Sequence, residues 1–415
     1  MMLYIYLTLG YTTKNFWSYK FMQYIKKCKT VINLIRGKRW GAFWDKLPFI
    51  KQILSSTNLL PHRSNYKYIL IGGHGLGMTA FFYYLEKLGA KPLEIWSYEI
   101  VRPFVFYRKF DGMVLDKAPL NSQSAKILKT CTKKVPLYQL IRDPISTIKS
   151  NVNVTMFHSI SRINNKNDAN NMLVDVINNI SHLMFYFAST RDLVNHIVCD
   201  VTYIKMKDID DKNMPNTLKA FANRFDYNYS SLNGGGGNES VIKGSIFPRC
   251  FPHIFKINDF IFIISTLSRL NGRSRKEMDI NSDITEIRTR INKKFFVIDD
   301  NIIIKGYEEY PLVLATFNNT LIPENILEQS KNTATQYIDF ALKNINKHKE
   351  LCFDENGIID FLLTKKEFAK KLAIEIHNQL RYIRQESPES LEEFAHTKRF
   401  LDVFGIDINS NKGVL

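Results

Sequence analysis

At 415 residues the chain is too long for one ordinary compact core, and 45% apolar content with 29 Phe and 20 Tyr excludes a disordered one. Lys and Arg outnumber Asp and Glu by 57 to 40, a formal charge of +17, which favours anionic partners such as nucleotides, acidic glycans or an anionic membrane surface. The excess is concentrated: residues 1–58 hold ten basic residues against one acid, Asp45, so the bulk of the chain is only mildly basic and no nucleic-acid partner is expected.

The five cysteines are isolated, with no Cys-x-x-Cys pair, which fits a reducing compartment. None of the nine histidines stands at ligand spacing to another, so no metal site is expected. The apolar start, Met1 to Tyr11, is too short to span a bilayer and has no basic residue before it. The expectation is a cytoplasmic protein, soluble or peripheral.

In chain order, residues 1–58 form a basic segment in which Tyr24 to Ile35 recur at helical spacing around Lys26, Lys27 and Lys29. Two readings fit: a helix docked on the body with its lysines in water, or an interfacial helix in peripheral contact with an anionic membrane. From residue 63 to 255 strands and helices alternate, which predicts an α/β domain with a parallel sheet and helices on both faces. Tyr66 to Ile71 is β-rich and ends in Gly72-Gly73; Met78 to Leu88 follows as a helix. Val135 to Ile141 reads as a buried strand, Pro144 as a helix start, Leu173 to Met184 as part of a long amphipathic helix, His196 to Met206 as a strand and Pro215 to Phe225 as a helix. Gly234 to Gly237 can hold neither helix nor strand. Residues 256–415 read as mainly helical from Pro323 to Phe404, with a β-hairpin turning at Asp299-Asp300-Asn301 and a strand at Tyr310 to Phe317; this third offers no legible chemistry.

Three stretches carry chemistry. In Gly72-Gly73-His74-Gly75-Leu76-Gly77-Met78-Thr79, small residues between a strand and a helix let backbone N–H groups curl around a phosphate, and Thr79 offers a hydroxyl. The spacing is that of a phosphate loop, except that Met78 stands where its lysine belongs. In Asp116-Lys117-Ala118-Pro119, Lys117 follows a β-rich run and can point into the crevice at the sheet's C-terminal edge. In Arg142-Asp143-Pro144, followed by Ser150, a guanidinium fork and a hydroxyl two helical turns on can grip one phosphate; Asp143 and Pro144 also make an ordinary helix start.

In order and spacing these stretches resemble the sulfotransferase superfamily over roughly residues 66–230. The resemblance implies a nucleotide-linked donor, 3′-phosphoadenosine-5′-phosphosulfate, bound by Gly72, Gly73, Gly75, Gly77, Thr79 and Lys117, with Arg142 and Ser150 on its 3′-phosphate. It implies transfer of a sulfo or related group, without a metal, to a hydroxyl of a carbohydrate acceptor, such as a bacterial surface polysaccharide or lipid-linked sugar. Glycosyl or other nucleotide-dependent transfer on such a glycan is the alternative, as is a non-catalytic protein that kept the fold. The chain departs from the family where a Lys or Arg usually stands in the loop: that position is Gly75, with His74 beside it as one candidate substitute and Lys117 or Arg102 as others that could reach in. For the base that takes the acceptor's proton, Glu99 stands at about the family's distance, with Glu94 on the same connection and Arg102 just beyond.

Overall fold

The computed structural model describes residues 66–410 apart from 74, 96–109, 117–127, 130, 185–186, 211, 233–245, 267–295 and 317–320. The basic segment 1–58 lies outside the described residues, and so does the glycine run 234–237.

Five parallel strands form the first sheet: β1 (Tyr68–Gly72), β2 (Pro92–Ile95), β3 (Gly112–Asp116), β4 (Val135–Ile141) and β5 (Val198–Lys205), in the order β2-β3-β1-β4-β5. Strand β1, Tyr-Ile-Leu-Ile-Gly, is central and buried throughout, as a continuous apolar run must be when both sheet faces are covered. Its alternate residues divide between two cores. Tyr68 and Leu70 join the larger, with helices α1 (Met78–Lys87), α2 (Pro144–His158), α3 (Lys166–Met184) and α5 (Met214–Phe225). Ile69 and Ile71 join the smaller, closed by Leu128, Cys131 and the end of α4 (Phe187–Val194). The expected α/β sheet with helices on both faces is therefore present.

Aromatic rings fasten α5 to the sheet. Phe221 meets Tyr68 edge-on at 4.9 Å between centroids and Tyr138 at the same distance. Such pairs add about 0.5–1.5 kcal/mol each beyond area burial.

A second, antiparallel sheet follows, with β6 (His253–Ile257), β7 (Phe260–Thr266), β8 (Phe296–Ile302) and β9 (Leu312–Thr316) in the order β6-β7-β9-β8. Its β8 corrects the hairpin expected around Asp299: the strand runs straight through Asp299-Asp300-Asn301 and pairs with β9, with irregular register on either side of Asp299. These polar residues sit in a half-exposed edge strand, where they need not turn the chain. The 28-residue helix α6 (Glu324–Leu351) packs on this sheet through Ile326, Ala334, Ile338 and Ile345.

The last helices are α7 (Glu355–Leu363), α8 (Lys366–Gln379), α9 (Arg381–Glu386) and α10 (Ala395–Asp402). Their apolar residues, among them Ile359, Leu372, Ile376, Phe400 and Leu401, belong to the same core as Leu70 and Leu140 of the parallel sheet. The helical region therefore packs directly on the α/β sheet's helices. Among the described residues no helix is long and apolar enough to cross a membrane.

Candidate functional site

The strand register fixes where the predicted stretches meet. Gly72 pairs with Asp116, Ile71 with Gln139, and Ile141 with Lys205. The C-terminal ends of β1, β3, β4 and β5 therefore share one edge, and the loop 73–77 and Arg142 both leave from it. In parallel α/β sheets this edge is where ligands bind.

The loop after β1 is compact, with Leu76 N–H donating to the Gly73 carbonyl at 3.3 Å. Gly75 and Gly77 have φ of +84° and +77°, a left-handed backbone that L side chains rarely adopt. Both are also hemmed in. A Cβ on Gly75 would lie 2.9 Å from Asn151 Nδ2 and 3.3 Å from Ser150 Cβ, and one on Gly77 would collide with Ile209 Cδ1. The loop thus lies between the first turns of α2 and the segment after β5. Gly77 caps α1 without a side-chain contact, so the cap leaves the first N–H groups of that helix to other partners.

Arg142 closes this arrangement. Its Nη1 donates to the Gly75 carbonyl at 2.8 Å, tying the end of β4 to the loop after β1. Burial lowers its pKa from the ordinary value, while the carboxylates of Glu355 and Asp143 act the other way. A guanidinium keeps its charge under a shift of this kind. Gly72, Gly73, Gly75, Gly77, Arg142 and Ser150 are thus gathered at one edge, with Ser150 against Gly75. Thr79 is in the first turn of α1. Glu94 lies on β2, paired with Val114. His74, Glu99, Arg102 and Lys117 lie outside the described residues.

The helix that carries Ser150 is held by residues far along the chain. Asp143 caps α2, its Oδ1 accepting from Ile145 N–H at 2.8 Å and Ser146 N–H at 3.3 Å. The same carboxylate accepts from the Thr397 hydroxyl at 2.7 Å, Thr397 N–H at 3.1 Å and His396 N–H at 3.0 Å, so it also caps the start of α10. One turn on, Ser146 Oγ donates to Glu355 Oε1 at 2.8 Å, and Lys149 Nζ is 2.6 Å from the same oxygen. Burial pushes the Glu355 carboxyl up, but the Lys149 and Ser146 contacts outweigh it and hold the pKa down at about 2. At the end of β5, Lys205 and Lys207 share Glu393 Oε1 at 3.0 and 2.6 Å.

Reasoning from sequence did not find Glu355, Thr397 or Glu393. Each acts through a contact across at least 186 positions, and none stands in a local pattern that announces it. The one available signal for α7 was Asp354 before an apolar run, which marks a helix start and not its partner; its carboxylate does cap Gly357 N–H at 2.7 Å.

The arrangement offers backbone N–H groups at a helix start, a half-buried guanidinium and a serine hydroxyl, with a carboxylate and an ammonium one turn away. Such a set can bind the phosphate of a nucleotide and distinguish what is attached to it. No family model, no curated protein and no solved structure matches this chain.

Proposed function

We propose that the chain is a nucleotide-dependent transferase, which binds a nucleotide-linked donor at the C-terminal edge of its parallel sheet and passes a sulfo or related group to a carbohydrate hydroxyl. The observation that carries this reading is the convergence of Arg142 and Ser150 on Gly75 of the loop after the central strand. A glycine loop at a helix start is suited to a 5′-phosphate, because backbone N–H groups at a helix N-terminus can donate to it and the helix dipole favours negative charge. As the acceptor oxygen attacks, charge grows on the departing phosphate, and fixed N–H donors there stabilise it without reorganising. Glu99 is the proposed base for the acceptor proton, and His74 the proposed loop cation. Residues 1–58 are the proposed contact with an anionic membrane that carries the acceptor.

A second reading, nucleotide binding without transfer, is favoured by Gly75. Its positive φ and the nearness of Asn151 strain any side chain at this position, including the lysine or arginine that the resemblance would put there. A positioned donor or cation at developing charge is worth about 3–4 kcal/mol, and its absence would have to be made good from another residue.

Thermal shift separates these readings from a chain that binds no nucleotide. Nucleoside 5′-phosphates should raise the unfolding temperature, since a ligand at a hundred times its Kd stabilises by about 2.7 kcal/mol. Transfer to an oligosaccharide acceptor, followed by mass change, then distinguishes the enzyme from the binding protein. No shift with any nucleotide would remove both.

A further inference from the structure

The donor implied by the resemblance carries a second phosphate, on the 3′ position of its sugar, and Arg142 with Ser150 would have to hold it. The surroundings of that pair are poorly suited to a dianion. Ser146 and Ser150 stand four residues apart in α2 and so share one face of the helix. On that face Ser146 and the adjacent Lys149 are both engaged by Glu355 Oε1, at 2.8 and 2.6 Å. Arg142 already donates to the Gly75 carbonyl, and the charges of Glu355 and Asp143 both act on it. The charges of Arg142 and Lys149 at the first turns of α2 are thus set against those of Glu355 and Asp143, and at the end of neighbouring β5 Lys205 and Lys207 are drawn to Glu393. A phosphate placed there would bring a second anion beside Glu355, which costs binding energy when both are partly desolvated. A free sugar hydroxyl has the opposite need. It can donate to a carboxylate and accept from Ser150 or Arg142, the way acidic residues read an unphosphorylated ribose in other α/β sheets.

Building on the proposed nucleotide site, we infer that Glu355 makes it selective for a donor nucleotide whose sugar carries free hydroxyls and no 3′-phosphate. Glu355 acts by holding Ser146 and Lys149 and by presenting its own charge to the sugar. The donor is then a nucleotide whose 5′-phosphate carries the transferred group and whose ribose is otherwise unphosphorylated.

Calorimetric titration of the full chain with AMP and with adenosine 3′,5′-bisphosphate tests this, because the two ligands differ only in the 3′-phosphate. The uridine pair is run beside them to cover the choice of base. The wild-type protein should bind the monophosphate at least as tightly as the bisphosphate in whichever series binds. In Glu355→Gln, which keeps the bond from Ser146 and frees Lys149, the preference should move toward the bisphosphate by about tenfold or more, as expected for relief of one close like-charge contact. A wild-type protein that prefers the bisphosphate overturns the inference while leaving the nucleotide site standing, and the wild-type ratio decides even if the variant does not fold. If no member of either pair binds, the nucleotide reading fails and takes the inference with it.

Discussion

The Thr397 hydroxyl donates to the Asp143 carboxylate at 2.7 Å across 254 positions of the chain, and the Ile145 N–H donates to Thr397 Oγ1 at 3.2 Å. Two helix starts thereby share one cap. The N–H groups of Ile145 and Ser146 at the head of α2, and of His396 and Thr397 at the head of α10, all point at Asp143. Asp143 follows Arg142 directly, so the helical region, whose sequence offers no legible chemistry, fixes the end of β4 from which Arg142 reaches the loop.

That shared cap predicts an unequal pair of variants. Asp143→Ala leaves several buried N–H groups without an acceptor, at about 1–3 kcal/mol each, so it should cost at least about 3 kcal/mol in chemical denaturation. Thr397→Val keeps the shape and loses one hydroxyl, and should cost about 1–2 kcal/mol. Equal, small effects would mean the cap does not hold the two helices together.

Acid should act through Glu355. Its pKa falls from an ordinary 4.5 to about 2 in the folded chain, so the folded state favours the charged form. The contribution to stability is complete above about pH 4.5 and disappears as pH falls toward about 2. Subtracting the pH profile of Glu355→Gln from that of wild type should leave a difference that shrinks through this window. A difference that stays flat between pH 5 and 2 would show that Lys149 and Ser146 do not hold the carboxylate.

Restoring a loop cation should fail. Gly75→Lys forces a left-handed backbone on a side chain and drives its Cβ toward Asn151, so we expect a loss of about 2–3 kcal/mol and no gain in nucleotide affinity. Pairing it with Asn151→Ala should recover part of the stability, since the strain from φ remains and the collision does not. Full stability in Gly75→Lys alone would refute the crowding.

What the sequence revealed follows from the range of the interactions involved. The runs Tyr68–Gly72 and Val135–Ile141 are apolar because both faces of a parallel strand are buried, and Asp143-Pro144 marks a helix start within three residues. The Asp299-Asp300-Asn301 triplet has turn composition, yet the same polar residues serve an exposed edge strand, and only the pairing of β8 with β9 decides between the two. The hairpin of β6 and β7 went unread although Asn258-Asp259 between Ile257 and Phe260 is a two-residue turn, with Asn258 at φ +51°. The gathering of Gly75, Arg142 and Ser150 followed from motif order. Glu355 and Thr397 could not follow, because a hydrogen bond across more than 200 positions leaves no periodic trace.

Arg142 and Ser150 are proposed to bind a nucleotide against the glycine loop. Titrating wild type, Arg142→Ala and Ser150→Ala with the nucleoside 5′-phosphate that gives the largest thermal shift tests it most directly, with Lys205→Ala as a control held by Glu393. A charge-assisted contact is worth about 1.5–3 kcal/mol, so Arg142→Ala should weaken binding roughly ten- to a hundredfold. Ser150→Ala, a neutral contact, should weaken it by several-fold, and Lys205→Ala should change it little. Undiminished affinity in folded Arg142→Ala would contradict the account.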